Sequence, residues 1–429
     1  MTPAAAHAAI RFGLGARPGA PVPDDPRAWL LAQVRPLDAI EGPSLDDIRV
    51  ILNETDRQGS ARLRNSLAEA DSRAWATRML TTDAPFAERW CEFWSNHFAI
   101  SRRGGILIGF SGHFHQTAIR SHVFGRFEDL LLAAYQHPAM LAYLDQSASI
   151  GPRSRAGQRR NRGLNENLAR ECLELHSVTP AAGYTQADVT ALAQVLTGWS
   201  IGRGAGAGES AGAVFRPDAH EPGPKTVLGQ EFPEGKEGGV LALRFLARHP
   251  STHRALAQKL ARHFIADDPP PAAVARLEAA LRDTQGDLSA AARAVIAEPA
   301  AWQPLTKIRS AQDYAIAVLR GLGEPAQSAP ALLTTLARLN QRLWTPPAPI
   351  GWPDEAGAWA APEQLMRRVD WANELSARAE LGQRLPLAQM VEAFLGPLAR
   401  AETVTAARRA GSLQEAVLLV LASPEAQRR

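Results

Sequence analysis

Residues 185–198, TQADVTALAQVLTG, carry the clearest secondary-structure signal in this sequence of 429 residues. Thr185 followed by Asp188 is a capping-box-like start, because each side chain can satisfy a free backbone amide at a helix N-terminus. The apolar residues that follow recur three or four positions apart, at Val189, Leu192, Ala193 and Leu196. The pattern predicts an amphipathic helix that ends at Gly198.

The same helical spacing, in alanine-rich sequence, recurs along most of the chain. It predicts helices at residues 241–264, 271–282, 288–296, 311–322, 331–343, 363–379, 387–394 and 413–421. Alternation typical of strands is confined to 105–110 and 214–215. We therefore expect an all-α fold, a large multi-helical domain with long irregular loops and at most a small β-hairpin.

Two stretches lack helical spacing and are predicted to be irregular. Residues 202–212 are almost wholly Gly, Ala and Ser, and the irregular run continues to 239. Residues 201–239 are thus the candidate sub-boundary between an N-terminal helical half, 1–200, and a C-terminal half, 240–429. Residues 151–163 hold five arginines in a predicted loop, which leaves binding of a polyanion as one alternative.

Composition excludes several classes of protein. The chain is 45% hydrophobic and 21% charged with a net charge of +3, which fits a soluble globular protein and gives no reason to expect nucleic-acid binding. No stretch approaches the ~18 apolar residues of a membrane span. Residues 1–15 lack a recognisable secretory signal, so a cytoplasmic location is the default expectation. Cys91 and Cys172 lie in apolar-periodic segments and are expected to be buried free thiols.

The segment 165–176, NENLARECLELH, is the densest polar constellation in the chain. On a helix its carboxylates Glu171 and Glu174 share one arc with Asn167 and Arg170, while His176 lies in the apolar stripe. Two carboxylates one turn apart could hold a cation or share a proton. The alternative is a solvated face, on which Arg170 pairs with acidic residues one turn away.

Two further motifs combine ionisable side chains with apolar or rigid surroundings. His97 lies on an aromatic stripe, and Asn96 lies on the opposite face of the same helix. His97 is either a hydrogen-bonded core residue, or it acts as a metal ligand or general base. His220 and Lys225 lie in HEPGPK, whose prolines can fix their geometry. Either His220 acts there as an acid or base while Lys225 binds an anion, or the loop is a plain structural turn.

Several ordered motifs resemble the bacterial family called domain of unknown function 1800 (DUF1800). They are RFGLG at 11–15, FWSNHF at 93–98, HPAM at 137–140, NENLARECLELH at 165–176, GYTQ at 183–186, LTGW at 196–199, HEPGPK at 220–225 and GWP at 351–353. The resemblance implies one family-wide domain over 1–429. It also implies pairing with a neighbouring protein of the domain of unknown function 1501 (DUF1501) family, which looks related to phosphatases and sulfatases.

Two hypotheses follow from the residues and the resemblance. The first is a metal-assisted or acid/base hydrolase of an anionic substrate. Its catalytic candidates are Glu171, Glu174, His220 and Lys225; its candidate ligands for a divalent metal are His97, His176 and Glu171; its substrate-binding candidates are Asn96, Asn167 and Arg170. The second is a non-catalytic partner or maturation factor of the DUF1501 protein, with co-export to the periplasm as the alternative location.

Overall fold

The computed structural model describes residues 1–20, 22–42, 47, 50–51, 57–160, 163–203, 211–377 and 386–429. Over these residues the chain is predominantly α-helical, as the sequence predicts. The helices are α1 Pro3–His7, α2 Pro26–Leu31, α3 Arg57–Thr81, α4 Pro85–His97, α5 Leu107–His113, α6 Phe127–Gln136, α7 Pro138–Tyr143, α8 Arg155–Arg160, α9 Asn167–Glu171, α10 Gln186–Leu196, α11 Lys236–Arg248, α12 Pro250–Phe264, α13 Pro271–Asp283, α14 Leu288–Ala297, α15 Ala311–Gly321, α16 Ala329–Arg338, α17 Ala356–Trp359, α18 Pro362–Ser376, α19 Leu387–Phe394, α20 Ala401–Arg409 and α21 Leu413–Leu421.

Three helices continue into π-helical turns, and the described residues also contain short 3₁₀ helices and two short hairpins. The π turns are Ala8–Phe12 after α1, Phe114–Arg120 after α5 and Cys172–His176 after α9. The hairpins are antiparallel and pair β1 Trp199–Arg203 with β2 Ala211–Phe215, and β3 Lys225–Val227 with β4 Gln230–Phe232. Of the predicted irregular stretch 202–212, residues 204–210 lie outside the described residues.

The strand predicted at 105–110 is wrong, because helix α5 begins at Leu107. Short apolar alternation does not distinguish a strand from a buried helix segment. Here the small residues serve close packing of α5 on α3, since a Cβ at Gly112 would overlap the carboxylate of Asp71. The predicted loop at 151–163 likewise contains a short helix, α8.

The apolar side chains form two large clusters. The first contains residues from α4, α6, α10, α11, α12, α13 and α14, so helices on both sides of 201–239 share it. The second contains α15, α16 and α18 to α21, together with Leu14 and the end of α3. Cys91 and Cys172 are buried free thiols, as predicted. No helix of the described residues has the length and apolarity to cross a bilayer.

A buried ionic network ties distant segments together beside these clusters. Asp313 at the start of α15 forms ion pairs with Arg89 of α4 at 3.0 Å and with Arg429 at 2.8 Å. Arg429 also donates to Asp354, 3.1 Å away, and Nδ1 of His263 in α12 lies 3.0 Å from the same carboxylate. These pairs fix the positions of α4, α12 and α15 relative to residue 354.

The network holds both of its carboxylates ionised. Burial alone would raise the pKa of Asp313, but the guanidinium groups of Arg89 and Arg429 outweigh it and hold the pKa well below its usual value. For Asp354, His263 and Arg429 likewise outweigh burial and lower the pKa to about 2. Because both values are depressed in the folded state, their contribution to stability is present above pH ~4 and is lost as the pH falls through them.

We expect Asp313→Asn to lower the free energy of unfolding by about 3–5 kcal/mol, because it leaves the buried Arg89 without its counter-ion and removes one of the two carboxylates that pair with Arg429. Urea unfolding near neutral pH measures the loss. The matched control is Asp83→Asn, since Asp83 is 86% exposed and pairs with Arg17 at 3.2 Å. The control should cost at most about 1 kcal/mol. Equal losses in the two variants would contradict a structural role for the network.

Candidate functional site

A cleft of about 410 Å³ opens directly above the ionic network. One wall is α4 and the facing wall is α12, while the start of α15 and the π turn Phe114–Arg120 contribute further side chains. Residues 344–355, which we call the strap, run along its rim. The volume lies in the range of small-molecule sites, which is about 300–1,000 Å³.

Asn96 holds the strap in place. Its amide nitrogen donates to the carbonyl of Trp352 at 2.9 Å, and its amide oxygen accepts from the backbone amide of the same residue at 2.8 Å. Gly351 has a φ of +87°, and a Cβ there would lie 2.5 Å from the Asn96 carbonyl, so this approach requires glycine. Asn96, predicted to bind substrate, therefore has its side-chain amide engaged by the chain itself.

The structure brings His97 and His176 together and adds Lys259 from α12, and we call these three residues the Lys259 group. The imidazole centroids of the two histidines lie 5.6 Å apart. Lys259 Nζ donates to the Leu175 carbonyl at 2.7 Å and lies 3.2 Å from Nδ1 of His97. Nε2 of His97 lies 3.3 Å from the His176 carbonyl, and the Tyr135 hydroxyl lies 2.7 Å from Nδ1 of His176.

The hydrogen bonds of this group determine its protonation. A carbonyl only accepts, so Nε2 of His97 carries the proton and Nδ1 accepts from the Lys259 ammonium. Burial, with Lys259 and His176 nearby, lowers the pKa of His97 well below its usual value. Burial and then Lys259 lower the pKa of His176 to about 3. Burial, with Arg262 nearby, lowers the pKa of Lys259 to about 8. The Lys259 amine, with its pKa of about 8, thus lies beside two neutral imidazoles.

The π turn Cys172–His176 explains how two consecutive carbonyls reach this group. A helix leaves its last carbonyls without partners inside the helix. Here the Leu175 and His176 carbonyls accept from Lys259 and His97 instead. Such π segments occur frequently at functional sites. The partial negative charge at a helix C-terminus favours a cation there, so the lowered pKa of Lys259 reflects burial in spite of that charge.

The predicted polar face of segment 165–176 lies elsewhere. Arg170 pairs with Glu166 at 2.9 Å and donates to Gln186 at 3.0 Å. Burial, together with Glu174, raises the pKa of Glu171. Asn167, Arg170, Glu171 and Glu174 are not among the residues that line the cleft. The structure therefore places the predicted carboxylate pair and the Lys259 group on different sides of one helical segment.

His220 and Lys225 form a separate group at the second hairpin. Nδ1 of His220 lies 2.8 Å from the Thr197 carbonyl, and Nε2 accepts from the backbone amide of Gly235 at 2.9 Å. Both ring nitrogens are thus engaged by backbone. Lys225 donates to the Glu221 carbonyl, and the buried Glu221 carboxylate pairs with Arg153 at 2.6 Å. Burial lowers the pKa of both His220 and Lys225.

Sequence reasoning missed Lys259 and the ionic network. A signal for Lys259 was available, because only four of the 47 basic residues are lysines, at positions 225, 236, 259 and 307. Arginine stays protonated in proteins, whereas a lysine can lose its proton when it is buried. The few lysines of an arginine-rich chain are therefore the positions at which to look for a side chain that can lose its proton. The network gave no comparable signal, because its members come from five distant segments.

Comparison with known proteins agrees with the motifs. A family model described as "Protein of unknown function (DUF1800)" matches residues 7–428. Nothing among the curated proteins or the solved structures matches this chain. The matched span includes α4, α12, the strap and all three residues of the Lys259 group. The chain belongs to the DUF1800 family.

Proposed function

We propose that the cleft binds a small anionic substrate and that Lys259 acts there as the acid/base of a hydrolytic reaction. The observation that carries the proposal is the environment of the ammonium group. Its hydrogen-bond partners are a carbonyl and a neutral imidazole, and in the described part of the chain no carboxylate pairs with it. A cation taken out of water without a counter-ion is costly, and an anionic ligand would supply the missing charge.

The carboxylates that line the cleft have other partners than Lys259. Asp313 and Asp354 are held by the ionic network, Glu92 accepts from Trp75 and Gln312, and Glu355 pairs with Arg262 at 3.1 Å. That pair is half exposed, so Arg262 is available to a ligand at little cost. An anion between Lys259 and Arg262 would therefore meet two cations and no unpaired negative charge.

The hydrogen bonds of Lys259 also suit proton transfer. Two N–H groups are directed to the Leu175 carbonyl and to Nδ1 of His97, and both bonds can persist when the third proton is lost. Deprotonation then leaves a lone pair in the position of that third proton, on an amine that lines the cleft. A base with a pKa near the working pH can take a proton from water, which contributes typically 10²–10⁴-fold to a rate.

The remaining sequence predictions stay predictions. Glu171, Glu174, His220 and Lys225 as catalytic residues, Asn167 and Arg170 as substrate-binding residues, and a divalent metal held by His97, His176 and Glu171 are not part of the Lys259 proposal. For His97, both ring nitrogens are engaged and an ammonium group occupies the neighbouring position. A non-catalytic role beside a DUF1501 protein also stays a prediction, and co-purification tests it.

The experiment is a hydrolysis assay on anionic chromogenic substrates, namely p-nitrophenyl phosphate, p-nitrophenyl sulfate and a carboxylate-bearing nitrophenyl ester. In the wild type we expect turnover at low substrate concentration to rise with pH through a midpoint at about 8, because only the neutral amine accepts a proton. Lys259→Arg should retain substrate binding but lose about 10²-fold or more in kcat. The exposed Lys236→Arg is the matched control. Unchanged kcat and pH profile in Lys259→Arg would contradict the proposal.

We expect Lys259→Met to stabilise the fold while removing anion binding. In the folded protein burial lowers the pKa of Lys259 from its ordinary value of 10.5 to about 8, so the native state binds fewer protons than the unfolded state between these values. Stability therefore rises with pH across that window, and near pH 7 the buried charge costs up to about 3 kcal/mol. Thermal unfolding of Lys259→Met against Lys236→Met at pH 7 measures the difference. A destabilised Lys259→Met would contradict this account.

A further inference from the structure

A second group of ionisable side chains lies next to the Lys259 cleft and plays no part in the proposed acid/base chemistry. Cys91 and Glu92 are consecutive residues of α4, and His115 faces them from the π turn Phe114–Arg120. Nε2 of His115 lies 3.0 Å from Oε1 of Glu92 and 3.8 Å from Sγ of Cys91. All three donor atoms lie within 4.8 Å of one another.

These separations are close to those of a tetrahedral metal site. Zinc binds sulfur, nitrogen and oxygen at about 2.0–2.3 Å, so ligand atoms around a tetrahedral ion are separated by roughly 3.4–3.6 Å. The two separations from Nε2 of His115, 3.0 Å to Glu92 and 3.8 Å to Cys91, differ from that range by a few tenths of an ångström. Small side-chain movements would therefore be enough to place an ion between the three atoms.

The charges also balance. Cys91 and His115 are buried, with 0% and 1% of their surfaces exposed, and a buried net charge would be costly. A divalent ion with one thiolate, one carboxylate and a neutral imidazole gives a net charge of zero. Arg120, a cation that interacts with Cys91, is itself neutralised by two hydrogen bonds to the carboxylate of Glu88, at 2.6 and 2.8 Å.

The surroundings of Glu92 and His115 suit ligand roles. Glu92 accepts from Trp75 at 2.9 Å and from Gln312 at 3.2 Å, which orients its carboxylate. Among the residues that the structure describes, the buried Nδ1 of His115 has no hydrogen-bond partner, and neither oxygen of the buried Asp71 has one. Asp71 lies within electrostatic range of His115. When Nε2 of a histidine binds a metal, Nδ1 carries a proton and commonly donates it to a carboxylate, which is the role available to Asp71.

We propose that Cys91, Glu92 and His115 bind one divalent transition-metal ion of the zinc class. The mixed sulfur, nitrogen and oxygen donors favour zinc over magnesium or calcium, which take oxygen ligands. Glu92 and His115 line the cleft, so a fourth coordination position would open towards the Lys259 group. Binding replaces the thiol S–H bond of Cys91 by a metal–sulfur bond and releases that proton to solvent.

The test uses the full-length protein incubated with zinc chloride alone, dialysed and analysed for metal by mass spectrometry. We expect one zinc per chain in the wild type, and loss of the metal in Cys91→Ser and in Glu92→Gln. Cys172→Ser is the matched control, because Cys172 is an equally buried thiol outside this group. Lys259→Met should also retain the metal, which separates this proposal from the acid/base function.

Two results would overturn the proposal. One is a wild-type protein that takes up no stoichiometric zinc, and the other is full retention of zinc by Cys91→Ser and Glu92→Gln. If these variants fail to fold, X-ray absorption on the zinc-loaded wild type decides instead. One sulfur neighbour with nitrogen and oxygen neighbours supports the site, and a shell without sulfur overturns it. Loading with cobalt gives an independent reading, since a thiolate ligand adds a charge-transfer band.

Discussion

The buried ion pairs of Asp313 are the constraint on which the geometry of the cleft depends. They connect Arg89 of α4 with Arg429, and Arg429 also forms an ion pair with Asp354 on the strap. Both cleft walls and its rim are therefore positioned by one set of charges. Because removal of one partner of a buried pair leaves an uncompensated charge, the arrangement is sensitive to the loss of any one of these residues.

The same network accounts for the unusual state of Lys259. Asp313 and Asp354 are held by arginines and His263, and Glu92 by Trp75 and Gln312, so among the described residues no carboxylate pairs with the lysine ammonium. What remains for Lys259 is a helix-terminal carbonyl and a neutral His97. In our proposal, the unneutralised ammonium of Lys259 lowers the stability of the fold and binds the anionic ligand, which is a trade-off between stability and activity.

Part of the fold and site could be predicted from the sequence. Periodicity predicted most of the helices, including 387–394 and 413–421 with their observed bounds, because this signal is local. The single helix predicted at 241–264 is wrong, because the helix breaks at His249 and Pro250 into α11 and α12. The pairing of His97 with His176 was predicted only as part of a larger set, and Lys259 was missed. It joins them through backbone carbonyls exposed by a π turn, and no residue pattern shows such a turn. The strand predicted at 105–110 failed because a helix packed closely through glycine has the same apolar alternation.

The central claim is that Lys259 carries a removable proton and receives anions. With only four lysines in the chain, carbon-13 NMR of labelled lysine side chains gives few signals, and Lys259→Arg identifies the one that belongs to Lys259. We predict a titration midpoint at about 8 for that signal, and a higher midpoint when inorganic phosphate is added, because a bound anion stabilises the ammonium form. A midpoint near the ordinary lysine value of about 10.4, unmoved by phosphate, would contradict the account.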